Sequence, residues 1–343
     1  MHTIGWFVTY PAEPVNGVMV AQANTTAARR SHRTQKGTLL PGLSGQVYPP
    51  ERESDVFEIM ADVEEGLDAV VAERLETSHD NPPERLRSVI EASAWAFRAD
   101  AIYERTALML AREGAPDLLA VYFGATDVVA HRFWPGTRPR TQPGRFFNSP
   151  GGRSLEAHLT PGSLANRLLG GSFWRSLEPQ GDAWSLRVLR RTYESADAAV
   201  GRLVAAMPPE TTVILVSDHG FRPWGHEDGP DAFFVAAGPS VRPLSGPPPH
   251  ELTRMHLRRL GSILDVTPTL LALSGIPLAL DMDGRILSRA FAPLPGTTRP
   301  AAVATHDSAE WLSARGAAGS KASGDGESDD ERVEQLKALG YIQ

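Results

Sequence analysis

The sequence predicts an α/β domain built on a mostly parallel sheet with helices on both faces. Short, near-continuous apolar runs bounded by turn residues suit strands buried on both sides. Between them lie stretches with apolar residues every three or four positions, the stride of a core-facing helix. Their alternation along the chain implies right-handed crossovers between parallel strands. With 343 residues, 41% hydrophobic and 22% charged, the chain has an ordinary globular composition and ample length for a buried core.

The elements follow in order. Ile4 to Tyr10 reads as a strand with only three residues ahead of it, an abrupt start inside a sheet. A loop, a short apolar run from Val18 to Ala21 and a polar, basic loop to Gly45 come next. Helical periodicity spans Asp55 to Glu73 and Pro83 to Arg112, the latter through Leu86, Ile90, Ala94, Phe97, Ile102, Leu108 and Leu110. Asp117 to Phe123, closed by Gly124, reads as a strand buried on both faces. Residues 134–182 are rich in Gly, Pro, Ser and Arg and read as an insertion. Its aromatics, Trp134, Phe146, Phe147, Phe173 and Trp174, with Trp184 just beyond and arginines from Arg132 to Arg153, suit either a lid over a ligand or a small self-packed subdomain. A helix from Trp184 to Met207 carries a stripe through Leu186, Leu189, Tyr193, Ala196, Val200 and Leu203, and Pro208-Pro209 stops it. Thr211–Val216 and Ala232–Ala237 read as further strands, and Ile263–Leu273 as a helix ending at Gly275. Residues 1–308 thus form one α/β domain, 309–332 a flexible linker and 333–343 a docking segment.

Composition removes several functions. Lys and Arg total 34 against 41 Asp and Glu, a net charge of −7, which argues against a general phosphate-backbone binder. The absence of cysteine removes disulfides, thiolate metal sites and cysteine nucleophiles together, so a metal here falls to His, Asp and Glu. No apolar run approaches the roughly 18 residues that span a bilayer. No export signal opens the chain, which reads as soluble and cytoplasmic as it stands, while the compartment stays open because an export signal could lie in a region ahead of Met1.

Two clusters carry chemistry. Asp127 and His131 lie four residues apart just past the run that ends at Phe123, so a helix there puts both on one face. Ser217-Asp218-His219-Gly220 directly follows the Thr211–Val216 run, where open α/β sheets place their ligands. His226 follows seven residues after His219. Three imidazoles and two carboxylates suit Zn²⁺, with Mn²⁺ the second fit. Taken singly, Asp127 also reads as a helix-start residue and His131 as a surface histidine. Asp265 reads as a helix-start residue, Asp283-Gly284 as a turn, and His250, His256 and His306 as surface groups.

The pattern Thr126-Asp127-x-x-x-His131, Ser217-Asp218-His219-Gly220-Phe221 and Gly225-His226 resembles the alkaline phosphatase superfamily, most closely its type I phosphodiesterase and nucleotide pyrophosphatase branch. Further likenesses lie in Thr9 to Gly17, Leu264 to Leu271 with Gly275-Ile276-Pro277, Asp281 to Arg285 and Leu336 to Tyr341. The resemblance implies a two-zinc hydrolase of small phosphodiester or nucleotide substrates. It assigns Asp127, His131 and His226 to one metal and Asp218 and His219 to the other. It also implies an aspartate and a Thr or Ser nucleophile upstream of the Thr9-Tyr10-Pro11 match, so the nucleophile and the first part of the sheet are expected ahead of Met1 and this chain alone is expected to be inactive. A non-catalytic metal-binding fragment or degenerate paralogue is the alternative, and a sulfatase or phosphomutase on the same scaffold is a further one. Thr9 is a tempting substitute nucleophile, but its segment matches a different part of the family pattern.

Overall fold

The structure is a computed structural model and describes residues 1–6, 9–22, 39–40, 42–75, 82, 84–133, 179–220, 231–242, 260–292, 302–307 and 313. They fall into two compact units, one drawn from residues 1–206 and the other from 207–220 and 231–316.

In the first unit, β1 (His2–Ile4), β2 (Val18–Val20), β3 (Val47–Tyr48) and β4 (Leu119–Val121) form a sheet in the order β3-β2-β1-β4. β1 runs parallel to β2 on one side and to β4 on the other, while β2 and β3 are antiparallel. The sheet is thus mostly parallel, as the apolar runs predict. The first strand differs from expectation: it starts at His2 and stops at Gly5. Gly5 has φ +72°, and a Cβ there would lie 2.4 Å from the Tyr103 ring, so the position demands glycine for conformation and for space. β4 is half-buried rather than fully enclosed.

The helical layer is organised by one element. After a 3₁₀ turn at Pro50–Arg52 come α1 (Glu53–Glu65), α2 (Leu67–Leu75), α3 (Glu84–Glu113), α4 (Ala125–Phe133) and α5 (Pro179–Ala206). α3, 30 residues and about 45 Å long, packs on β1, β4, α1, α2, α4 and α5. Its buried residues include Ile90, Phe97, Ile102, Tyr103 and Leu110. They divide between a cluster with Ile4, Val20, Val56 and Val63 and a second with Val129, Phe133 and Val188. α5 presents a stripe displaced from the expected one. Ser185, Val188, Leu189, Thr192, Ala199 and Leu203 are buried, whereas Leu186 and Tyr193 are exposed. Polar Ser185 and Thr192 sit inside the helix face, so apolar spacing alone misplaces it.

In the second unit, β5 (Val213–Val216) and β6 (Phe234–Ala237) pair antiparallel, with Val213 opposite Ala237 and Val216 opposite Phe234. This corrects the expectation of parallel, doubly buried strands: β5 is half-buried and β6 alternates between half-buried and exposed. A 3₁₀ turn at Ile263–Asp265 leads into α6 (Val266–Leu273). Asp265 is a start residue, as predicted. Its Oδ2 accepts the Ser262 N–H at 2.8 Å while Ser262 Oγ accepts from Leu264, and its Oδ1 accepts the Arg285 N–H at 2.6 Å. These backbone donors hold the carboxyl below its ordinary value. Gly275 ends α6 at φ +69°, with Ile276 N–H donating to Leu271 and Gly275 N–H to Ala272, the pattern of a left-handed cap.

Among the described residues no helix is long and apolar enough to cross a membrane. The core of the expected insertion, 134–178, lies outside the described residues. So do the docking segment and all of the expected linker but residue 313.

Candidate functional site

The first cluster is built where β4 gives way to α4. Gly124 caps the helix start, its carbonyl accepting from Val128 N–H at 3.2 Å. Two positions into α4 stands Asp127 and one turn later His131, both partly exposed. Their Oδ1 and Nε2 atoms are 3.5 Å apart. The pair is one helical turn apart, the i,i+4 spacing that brings two side chains together on one face. Tyr193, on the facing α5, stands near the Asp127 carboxylate, and partial burial together with that charge raises its phenol above the ordinary value.

The second cluster follows β5. Ser217 is tied to the start of β6: its N–H donates to the Phe233 carbonyl at 3.1 Å and its Oγ accepts the Phe233 N–H at 3.0 Å. With the strand end fixed, the chain turns, and Asp218 Oδ1 accepts the His219 N–H at 3.1 Å. His219 Nε2 lies 3.5 Å from Asp218 Oδ1, and its Nδ1 lies 3.1 Å from the Gly220 carbonyl. A proton on Nδ1 donated to that carbonyl leaves Nε2 as a lone-pair donor, the usual support of a metal-binding histidine.

The structure therefore brings Asp127 together with His131, and Asp218 with His219, each pair within one unit. His226 lies outside the described residues. Among the described residues no group of three or more potential ligands is assembled.

Several residues singled out in the sequence have structural employment. Thr9 Oγ1 donates to the Trp6 carbonyl at 2.6 Å and accepts the Gln22 N–H at 3.3 Å. Arg132 donates to Ser93 Oγ at 2.7 Å and to the Ala92 carbonyl, tying α4 to α3. The Arg187 guanidinium stands 4.9 Å from the centre of the Trp184 ring on α5. His306 is exposed, with Nε2 2.9 Å from the Pro277 carbonyl.

Sequence reasoning missed the charged groups buried on α3. Asp100 and Glu104 are 2% and 4% exposed. Glu104 accepts from Arg74 on α2 at 2.7 Å and from Arg202 on α5 at 2.5 Å, joining three helices. Asp100 accepts the Gly124 N–H at 2.9 Å, and burial pushes its carboxyl up to about 7, against the opposing pull of Arg74 and the two amides. A signal was present: Phe97, Asp100 and Glu104 follow the three-and-four stride of the apolar stripe, so both acids fall on the core face.

The family model for type I phosphodiesterase / nucleotide pyrophosphatase matches residues 10–269, a span that contains Asp127, His131, Asp218, His219 and His226. No curated protein and no solved structure matches the chain significantly. The match covers most of the chain and runs from the loop after β1 into α6, in keeping with the resemblance carried by the two Asp/His clusters: the chain belongs to the type I phosphodiesterase / nucleotide pyrophosphatase family.

Proposed function

We propose that this chain is a divalent-metal-dependent hydrolase of the phosphodiesterase/nucleotide pyrophosphatase type acting on small phosphodiester or nucleotide substrates, with Asp127, His131 and His226 holding one ion and Asp218 and His219 the other. The observation that supports this reading most is the equal 3.5 Å spacing of carboxylate oxygen and imidazole Nε2 in the two pairs, each just beyond a strand. That spacing fits chelation of a single tetrahedral ion, and nitrogen with oxygen donors favours Zn²⁺, then Mn²⁺. When bound, such ions supply positive charge against the phosphoryl oxygens of a substrate. The protein's own part is to orient the donors. α4 fixes Asp127 and His131 one turn apart, and the Gly220 carbonyl sets the tautomer of His219.

The first site has three donors and the second two, so the first binds its ion more tightly. The Thr9 hydroxyl is engaged with the Trp6 carbonyl and the Gln22 N–H and is not proposed as the nucleophile. The test is metal analysis of the purified chain after loading with Zn²⁺ and dialysis, alongside hydrolysis of bis(p-nitrophenyl) phosphate. About one equivalent should remain, lost in His226→Ala and Asp127→Asn and kept in Asp218→Asn. Retention independent of His226 and Asp127 contradicts the ligand assignment. Zn²⁺-dependent turnover at ordinary enzyme rates would mean that a residue of this chain acts as nucleophile or that a metal-bound water attacks directly.

A further inference from the structure

The geometry points to Asp100 as a positioning residue for the Asp127/His131 pair, a role that rests on the metal-holding function proposed for that pair. The first amides of a helix have no partner within it, and a group that accepts from them decides where the helix begins and how it is rotated. At α4 that group comes from another helix. Asp100 Oδ1 accepts the Gly124 N–H at 2.9 Å and the Ala125 N–H at 3.4 Å, and Oδ2 accepts from Ala125 at 3.3 Å. Asp127 is two residues beyond the second of these amides and His131 six beyond it.

The surroundings make this clamp rigid. Asp100 is 2% exposed and belongs to α3, whose flanking residues Phe97, Ala99, Ala101 and Ile102 are all buried, so the carboxylate cannot follow α4 if that helix shifts. Only three residues, Tyr122 to Gly124, separate β4 from α4. With β4 paired to β1 and Gly124 held by Asp100, the start of α4 is fixed from both sides. A donor pair 3.5 Å apart tolerates little rotation of its helix before one donor leaves an ion's shell. Asp100 touches neither donor and acts through the backbone that carries them.

The test uses the full chain as wild type, Asp100→Asn, Asp127→Asn and, as a control for lost stability, Val56→Ala in the fully buried face of α1. Zn²⁺ affinity is measured by competition with a chromophoric chelator, and the visible spectrum of the Co²⁺-loaded protein reports ligand geometry. Asparagine keeps one acceptor but turns an N–H₂ toward the amides. Asp100→Asn should therefore weaken Zn²⁺ binding by about 10- to 100-fold, as loss of a supporting group does, and should shift the Co²⁺ bands. Val56→Ala should change neither. Should Asp100→Asn fail to fold, Asp100→Ser takes its place. In the metal-free chain, amide hydrogen exchange at Gly124 and Ala125 should quicken in the Asp100 variant beyond its change in Val56→Ala. Affinity, spectrum and exchange matching the control overturn the inference. An Asp127→Asn chain that binds Zn²⁺ as wild type does overturns the metal-holding reading instead, while the exchange result still decides whether Asp100 fixes the start of α4.

Discussion

The two Asp/His pairs reach the same donor spacing by different means. Asp127 and His131 are separated by one turn of α4, a helix packed on α3 and α5 and anchored at its start by a buried carboxylate. Asp218 and His219 are adjacent in a turn, oriented by the His219 N–H and the Gly220 carbonyl at the end of a two-stranded pair. The first pair borrows its geometry from tertiary packing; the second makes it locally from its own backbone. Damage to the packing of α4 on α3 and α5 should therefore reach the first pair and leave the internal geometry of the second nearly untouched.

The largest expected break in that comparison is Phe97→Ala on α3. Phe97 is 1% exposed and packs with Val129 and Phe133 of α4, so its loss should cost about 3–5 kcal/mol in denaturant unfolding. Val235→Ala on β6, where the side chain is 53% exposed, should stay within about 0.5 kcal/mol. Equal costs for the two would deny that the units differ in packing.

Next in size is the pH dependence contributed by Asp100. Its folded value, about 7, lies above its ordinary 3.8, so the folded chain holds this proton more tightly than the unfolded chain does. Stability from this group is fully present below about pH 4 and falls as pH rises to about 7, by roughly 4 kcal/mol at most at 1.36 kcal/mol per pH unit. The difference between wild type and Asp100→Asn in chemical unfolding at pH 5 and pH 8 isolates it. A pH-independent difference would mean that the carboxyl ionises in its ordinary range.

The smallest effect concerns the second unit. Ser262→Ala removes the oxygen that accepts from Leu264 and should cost about 1 kcal/mol, read as a lower unfolding midpoint. Zinc affinity at Asp127 and His131 should not change.

Most of the helices were legible because burial imposes a stride on sequence. The Pro83–Arg112 pattern anticipates α3, Asp55–Glu73 anticipates α1 and α2, and Gly275 marks the end of α6. Strand pairing was less legible. The apolar run at Ala232–Ala237 says that a strand forms there but carries no direction, so its antiparallel partnership with β5 escaped. On α5, buried Ser185 and Thr192 shift the face by about one position from the stripe that apolar residues suggest. The Asp/His pairs were readable from type and spacing. The group that anchors the first was not, because Asp100 is 27 residues from Asp127 in sequence and its acceptors meet backbone amides, which every residue but proline carries.

X-ray absorption at the zinc edge, on the chain loaded with one equivalent of Zn²⁺, reads the donors of the Asp127, His131 and His226 site. Nitrogen and oxygen donors are expected at about 2.0–2.2 Å, with outer-shell scattering from two imidazoles, His131 and His226, and in His131→Ala that two-imidazole signal should be lost together with the tightly held ion. An all-oxygen shell without imidazole scattering, or a spectrum unchanged by His131→Ala, would contradict this ligand assignment.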